Sequence, residues 1–272
     1  MKRILVPTDF TQAAKNAGEY AISLAKVTGA TVHLLHVDTE VMPVLPGPEP
    51  WTANVNSLLA NKDERIRQEV DRLQGKYHTT LHSIIAIGAK GDTINDTAKE
   101  VGADLLVLGI KHTGDGHHWG STTLKMLRKS PLPVLLVPEE SPYQPVKTIV
   151  LAIDFTRRIE SISLAPLIEL AHQFDASVRV LHVEEKGAEP AETDTAGKLE
   201  MGRLLSSLTY YYDRVESDDV DRGILDFVTT HPTDLLVMIA HQHSFFERLF
   251  SLTHTTTVSF DVRLPMLVLK AR

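Results

Sequence analysis

Ile4-Leu5-Val6-Pro7-Thr8-Asp9-Phe10-Thr11 and Ile149-Val150-Leu151-Ala152-Ile153-Asp154-Phe155-Thr156 are two versions of one phrase, an apolar run that closes on Asp-Phe-Thr, 145 positions apart. Working outward, Leu35-His36-Val37-Asp38 is answered by Leu181-His182-Val183-Glu184, and Asp104-Leu105-Leu106-Val107-Leu108 by Asp234-Leu235-Leu236-Val237-Met238. Leu132-Pro133-Val134-Leu135 returns as Leu264-Pro265-Met266-Leu267. Four matches in one order mark an internal duplication. The offset falls from 146 at Val37/Val183 to 130 at Asp104/Asp234, so the second copy is 16 residues shorter in its middle. Pro43, Pro46, Pro48 and Pro50 make 42–51 of the first copy an extended loop rather than a helix. Residues 138–145, with Pro138, Pro142 and Pro145, read as a stiff linker. The expected domains are 1–140 and 145–272.

The bulk numbers allow two globular cores. The chain has 272 residues, 43% of them hydrophobic and 23% charged, and a formal net charge of -7. No basic run offers a footprint for nucleic acid, so none is expected as a partner. The lack of cysteine excludes disulfides, zinc-thiolate sites and thiol catalysis. The start, Met1-Lys2-Arg3 and a short apolar run, is too short for a signal peptide or membrane span. A cytoplasmic protein without membrane contact is the expectation.

In the first copy the pattern predicts strands over 4–6, 32–37, 81–87, 105–108 and 134–137. Thr11 is placed to cap a helix carrying Ala14, Ala17, Ala21 and Leu24 inward, with Gly29 ending it. Ile66, Val70 and Leu73 recur at helical spacing, Asp92 is placed to cap a helix through Val101, and 121–129 is helical. The charged run Asp63-Glu64-Arg65, Arg67, Glu69, Asp71-Arg72 reads as a solvated helix face. Apolar strands alternating with helices predict an α/β fold, two tandem doubly wound domains of five parallel strands each. Ligands of such sheets bind beyond the carboxyl ends of the strands, where strand order reverses.

Residues 109–123 follow a strand and precede a helix: Gly109-Ile110-Lys111-His112-Thr113-Gly114-Asp115-Gly116-His117-His118-Trp119-Gly120-Ser121-Thr122-Thr123. Glycines admit close approach of backbone amides to an anion, and Ser121 and Thr122 add hydroxyls at a helix start, the composition of a phosphate cradle. No Gly-Lys-Ser/Thr closes it and no Gly-x-Gly-x-x-Gly is present, so it is neither a Walker loop nor a dinucleotide loop. The bland reading is a surface loop in which Ser121 merely caps the helix. No nucleophile elbow surrounds Ser121, and no constellation supports vigorous catalysis.

The whole pattern resembles the universal stress protein family, twice over and along nearly the full chain. The resemblance rests on the strand ending in Thr8-Asp9-Phe10-Thr11, Leu35-His36-Val37, the run from Asp104 to Gly109, Gly120-Ser121-Thr122, and Pro133-Val134-Leu135. Nucleotide-binding members of that family use a Gly-x2-Gly-x9-Gly-Ser/Thr loop. The resemblance implies that Pro7, Thr8 and Asp9 face the nucleoside and Val37 meets adenine through its backbone. It implies that Gly109, Lys111, Gly120, Ser121, Thr122 and Thr123 meet ribose and phosphates. His112 stands where the family's second glycine would fall. The resemblance also implies pairing of the two domains through their final strands, here 133–137 and 265–269, and pairing of whole chains as a homodimer.

The second copy departs further. Ile239 replaces Gly109, Leu252-Thr253-His254-Thr255 stands in the place of 120–123, and no glycine occurs between Val237 and Leu267. This half is expected to be structural or regulatory. His112, His117 and His118, and His231, His241, His243 and His254 in the second copy, are read as loop histidines rather than metal ligands. His36 and His182 are read as partly buried and hydrogen-bonded. Phe245, Phe246, Leu249 and Phe250 make an apolar stripe for packing or a subunit contact.

The expected function is therefore a stress or signalling protein that binds ATP, with or without Mg²⁺, in its first half, and is not an enzyme beyond slow hydrolysis. The alternative is a nucleotide-independent interaction module with both sites degenerate. A third reading, a nucleotide-hydrolysing or transferring enzyme, requires a base and metal ligands that the sequence does not offer.

Overall fold

The computed structural model describes residues 1–39, 51–113, 116–118, 120–155, 163–187, 192–240 and 263–270, without the side chains of 51–63, 112, 113, 116–118, 185 and 192–194. The first half runs β1 (Arg3–Pro7), α1 (Gln12–Thr28), β2 (Thr31–Asp38), α2 (Trp51–Tyr77), β3 (Leu81–Ile87), α3 (Lys90–Val101), β4 (Leu105–Thr113), β5 (Gly116–His118), α4 (Ser121–Lys129) and β6 (Val134–Pro138). The second runs β7 (Thr148–Ala152), α5 (Ala165–Phe174), β8 (Ser177–Glu185), α6 (Glu192–Leu204), β9 (Tyr210–Ser217), α7 (Val220–Thr230), β10 (Leu235–Ala240) and β11 (Met266–Lys270).

Ten strands lie in the order β3-β2-β1-β4-β6-β11-β10-β7-β8-β9, five from each half, and β5 stands off this path beside β4. Neighbours within each half are parallel. The one antiparallel seam of the ten is β6 against β11, with Leu267 opposite Leu135 and Val268 opposite Val134. The final strands thus join the halves edge to edge. Neither has to leave its backbone groups unpaired at an open edge.

The repeated phrases have structural reasons. The Asp104 carboxylate accepts from the backbone N–H groups of Lys2 and Arg3, and Asp234 does the same for Lys147 and Thr148. Each aspartate therefore fixes the entry of the first strand of its half. The strands are apolar runs because both faces are covered. One face packs Ala17, Ile66, Leu167 and Met201 from α1, α2, α5 and α6. The other packs Ile94, Met126 and Ile224 from α3, α4 and α7. Both cores run across the seam.

The helix punctuation is partly as predicted. Thr11 caps α1, accepting from Ala14 N–H at 3.4 Å, and Gly29 ends it at φ 71°. Asp92 is not a cap: Ala89 holds that position, and Asp92 pairs instead with Lys125 at 2.8 Å. The charged run on α2 is not wholly solvated. Glu69 is buried, and Arg72 bridges it to Glu19, which Lys76 and Tyr77 also bond. Of the expected proline-rich loop, 42–50 lies outside the described residues and Trp51 opens α2. The linker is fastened to the first half. Asn16 donates its amide hydrogens to the carbonyls of Pro138 and Ser141, both at 2.8 Å, while Tyr143 meets Tyr20 edge to face.

The largest departure concerns 109–123, read from sequence as one loop. The fourth strand continues past Leu108 to Thr113 and turns back as β5, with Lys111 opposite His118 and Thr113 opposite Gly116. A polar strand end satisfies its backbone by hairpin pairing as readily as an apolar one, and residue composition does not register this.

Candidate functional site

Strand order reverses around β1, which has β2 on one side and β4 on the other. Beyond the carboxyl ends of these strands lies a cavity of about 520 Å³, within the range of small-molecule sites. The turn after β1 brings Pro7, Thr8 and Asp9 to it, β2 brings Val37, and β4 brings Gly109 and Lys111. The start of α4 brings Gly120, Ser121, Thr122 and Thr123. All ten residues singled out in the sequence line this one cavity.

The turn after β1 aims Asp9. Phe10 takes a left-handed φ of 65°, uncommon for a bulky residue. Its N–H is held by Thr8 Oγ1 at 3.1 Å, and its ring lies between the His36 ring, 4.7 Å away, and the Arg65 guanidinium at 4.5 Å. Asp9 Oδ1 takes both the N–H and the hydroxyl of Thr11, at 3.1 and 2.6 Å. Asp9 itself is exposed, and both of these bonds use Oδ1, so Oδ2 bonds no other described residue.

The two glycines differ in what requires them. A Cβ on Gly109 would stand 2.2 Å from the Ala13 carbonyl oxygen, because the start of α1 packs directly on β4 there. Gly120 is in ordinary backbone, φ -57° and ψ 151°, and a Cβ on it would meet nothing within 4 Å among the described residues. Protein packing explains the first glycine. It gives no reason for the second, which leaves open space over the start of α4.

That helix start has no side-chain cap. Ser121 follows the cap position rather than occupying it, so the bland reading of Ser121 as the cap does not hold. The first N–H groups of α4 are free for a ligand, together with the neighbouring hydroxyls. Lys111 is exposed beside them. The cavity's other wall is apolar, with Val37, Ile94 and Leu108. An apolar wall facing hydroxyls, lysine and free amides suits a flat heterocycle joined to an anionic tail.

Lys90 and Ile94 also line the cavity and were not singled out in the sequence. The signal was available, since Lys90 follows β3 and the strand-end rule covers that turn as well. His36 lines the cavity too, with Nδ1 2.9 Å from the Thr8 carbonyl oxygen. His182 repeats the contact with Ile153 at 3.0 Å. Among the described residues no group of three or more His, Asp or Glu side chains is placed to hold a metal. His241, His243, His254 and the stripe at Phe245, Phe246, Leu249 and Phe250 lie outside the described residues, as do the side chains of His112, His117 and His118. His231 stacks on Phe227 at 4.1 Å. No described helix is long and apolar enough to cross a membrane.

The second half builds the corresponding strand end differently. Ile239 pairs with Leu269 as Gly109 pairs with Val137, so a buried isoleucine takes the glycine's register position. α1 begins two residues after Phe10, whereas α5 begins at Ala165, ten after Phe155. The close helix approach that Gly109 permits has no counterpart among the described residues.

Comparison with known proteins agrees with this architecture. The model of the universal stress protein family matches twice, over 1–138 and 145–270. A universal stress protein of Methanocaldococcus jannaschii is 27% identical over 139 residues, covering 50% of this chain and 81% of that protein. Universal stress protein G of Escherichia coli O157:H7 is 29% identical over 147 residues, covering 50% of this chain and 98% of its own. The crystal structure of a universal stress protein from Archaeoglobus fulgidus DSM 4304 shares the fold along the whole length, with a TM-score of 0.75, 15% identity and 98% coverage of both chains. Single-domain relatives thus match half of the chain, a two-half architecture matches all of it, and the chain belongs to the universal stress protein family in both of its halves.

Proposed function

We propose that the first half binds ATP in the cavity at the ends of β1, β2 and β4, and that occupancy changes the protein's contacts in stress response or signalling. The observation that carries this reading is the uncapped start of α4. There Gly120 leaves open space beside Ser121 and Thr122 for phosphate, opposite an apolar wall for the base. Asp9 retains a carboxylate oxygen for a ribose or amino hydrogen, and Lys111 offsets phosphate charge. Among the described residues no general base stands against a nucleophile, and the reading is of a site for binding, with hydrolysis at most slow. The second half, with Ile239 in place of the glycine, serves structure or regulation.

The test is mass spectrometry of small molecules released from the purified, denatured protein, followed by equilibrium titration of ligand-free protein with ATP. One adenine nucleotide per chain is expected. Absence of both co-purified nucleotide and saturable binding overturns the reading, and two per chain overturns the assignment of the second half.

A further inference from the structure

We propose that Lys90 is a second phosphate-binding cation of this cavity, and that with Lys111 it selects ligands bearing two or more phosphates over monophosphates and cyclic monophosphates. The proposal rests on the reading of the cavity as an adenine-nucleotide site.

Lys90 and Lys111 reach the cavity from different elements, the first residue of α3 and the far end of β4. Both are exposed, and neither makes an ion pair among the described residues. The carboxylate nearest to Lys90 in sequence, Asp92, is occupied: Lys125 Nζ stands 2.8 Å from its Oδ2. That hydrogen bond and charge hold Asp92 below the ordinary carboxylate range, so it stays ionised and committed to Lys125. The same lysine lies along Gly91, where a Cβ would stand 2.2 Å from its Cδ. A side chain at 91 would displace Lys125 from this course and disturb its pairing with Asp92.

The ion pair and the glycine therefore seat the start of α3 against α4. The cap residues of both helices, Ala89 and Gly120, make no side-chain hydrogen bond. Lys90, the first residue of α3, and the uncapped start of α4 with Lys111 line one cavity. Ser121, Thr122 and Lys111 suffice for a single phosphate. A cation on the neighbouring helix gains a partner when the anionic chain extends, and its attraction grows with each added phosphate charge.

The experiment is a set of affinities for ATP, ADP, AMP and cyclic AMP, measured by titration calorimetry on the full chain and on Lys90→Gln and Lys90→Arg. Lys90→Gln is expected to weaken ATP by about tenfold, as for loss of one charge-assisted hydrogen bond, and AMP by less than about twofold. Lys90→Arg keeps the preference for ATP. Because Lys90 is exposed, the ligand-free melting temperatures should coincide, which separates lost recognition from lost folding. If the wild type binds ATP and Lys90→Gln keeps its ATP-to-AMP ratio, the role of Lys90 is overturned and the cavity reading stands. If the wild type binds no adenine nucleotide, both fall together.

Discussion

His36 donates from Nδ1 to the carbonyl oxygen of Thr8 at 2.9 Å. A carbonyl only accepts, so Nδ1 carries the proton. The bond ties the end of β2 to the turn that presents Asp9. His182 makes the same bond to Ile153 in the half that has lost the glycine, and Phe155 lies 5.1 Å from its ring as Phe10 lies 4.7 Å from that of His36. The pair is therefore a fastening of the fold common to both halves, independent of the glycine. His36→Leu and His182→Leu should each cost about 1–3 kcal/mol by leaving a carbonyl unpaired, measured by urea unfolding. Only His36→Leu should also weaken ATP. Equal effects of the two on ATP would falsify this division.

Gly109 and Gly120 should respond in opposite ways to added bulk. Gly109→Ala places a Cβ 2.2 Å from the Ala13 carbonyl oxygen. The start of α1 must shift, at a cost of about 1–3 kcal/mol. Gly120→Val meets open space and should keep unfolding stability within about 1 kcal/mol of the parent. On the proposed reading it fills the space that phosphate would take, so the rise in melting temperature on adding ATP should vanish. An undiminished rise in Gly120→Val refutes the phosphate role of that helix start.

What could be read in the sequence was whatever a single segment decides. The duplicated Asp-Phe-Thr phrase gave the two halves, and Thr11, Gly29 and the limits of β3 and α4 follow from local caps and apolar runs. The ten residues that line one cavity could be grouped because each lies at a strand end or helix start, and topology brings such ends together. Features that depend on a distant partner stayed hidden. Asp92 looked like a cap until Lys125, 33 residues on, took its carboxylate. Glu69 looked solvated until Arg72 joined it to Glu19 on another helix. The extension of β4 depends on pairing with β5, and Lys90 counts only because α3 is held beside α4.

The seam between β6 and β11 should make the halves unfold as one. Leu135 and Leu267 face each other in register and are both buried, and the core around them draws on each half. Leu267→Ala removes buried methyl groups and should cost about 2–5 kcal/mol. Both tryptophans of the chain, Trp51 and Trp119, lie in the first half, although the substitution is in the second. Tryptophan fluorescence and far-ultraviolet circular dichroism should still lose their midpoints together in denaturant. A shift in circular dichroism with unchanged fluorescence would show that the halves unfold independently.

Lys270 gives the fold a pH dependence of definite sign. It lines a cavity of about 330 Å³ between the halves, with Leu132 and Asp104 from one and Pro166 and Glu169 from the other. Both carboxylates are engaged, Asp104 by the Lys2 and Arg3 N–H groups and Glu169 by the Met1 ammonium. Lys270 donates to the Leu127 carbonyl, and burial lowers its ammonium from 10.5 to about 8. The folded protein thus releases this proton near pH 8, while the unfolded chain keeps it to about 10.5. Between these values the unfolded state binds more protons, so this group makes stability rise with pH. Its ceiling is about 3 kcal/mol, and solvent reaching the partly exposed side chain reduces it to about 1–2. Burial pushes the Tyr20 phenol upward, a contribution lost only as pH climbs past about 10. Urea unfolding from about pH 8 to about pH 10 should therefore show a shallower rise in Lys270→Met than in the parent. Identical slopes would mean that the buried ammonium does not set this dependence.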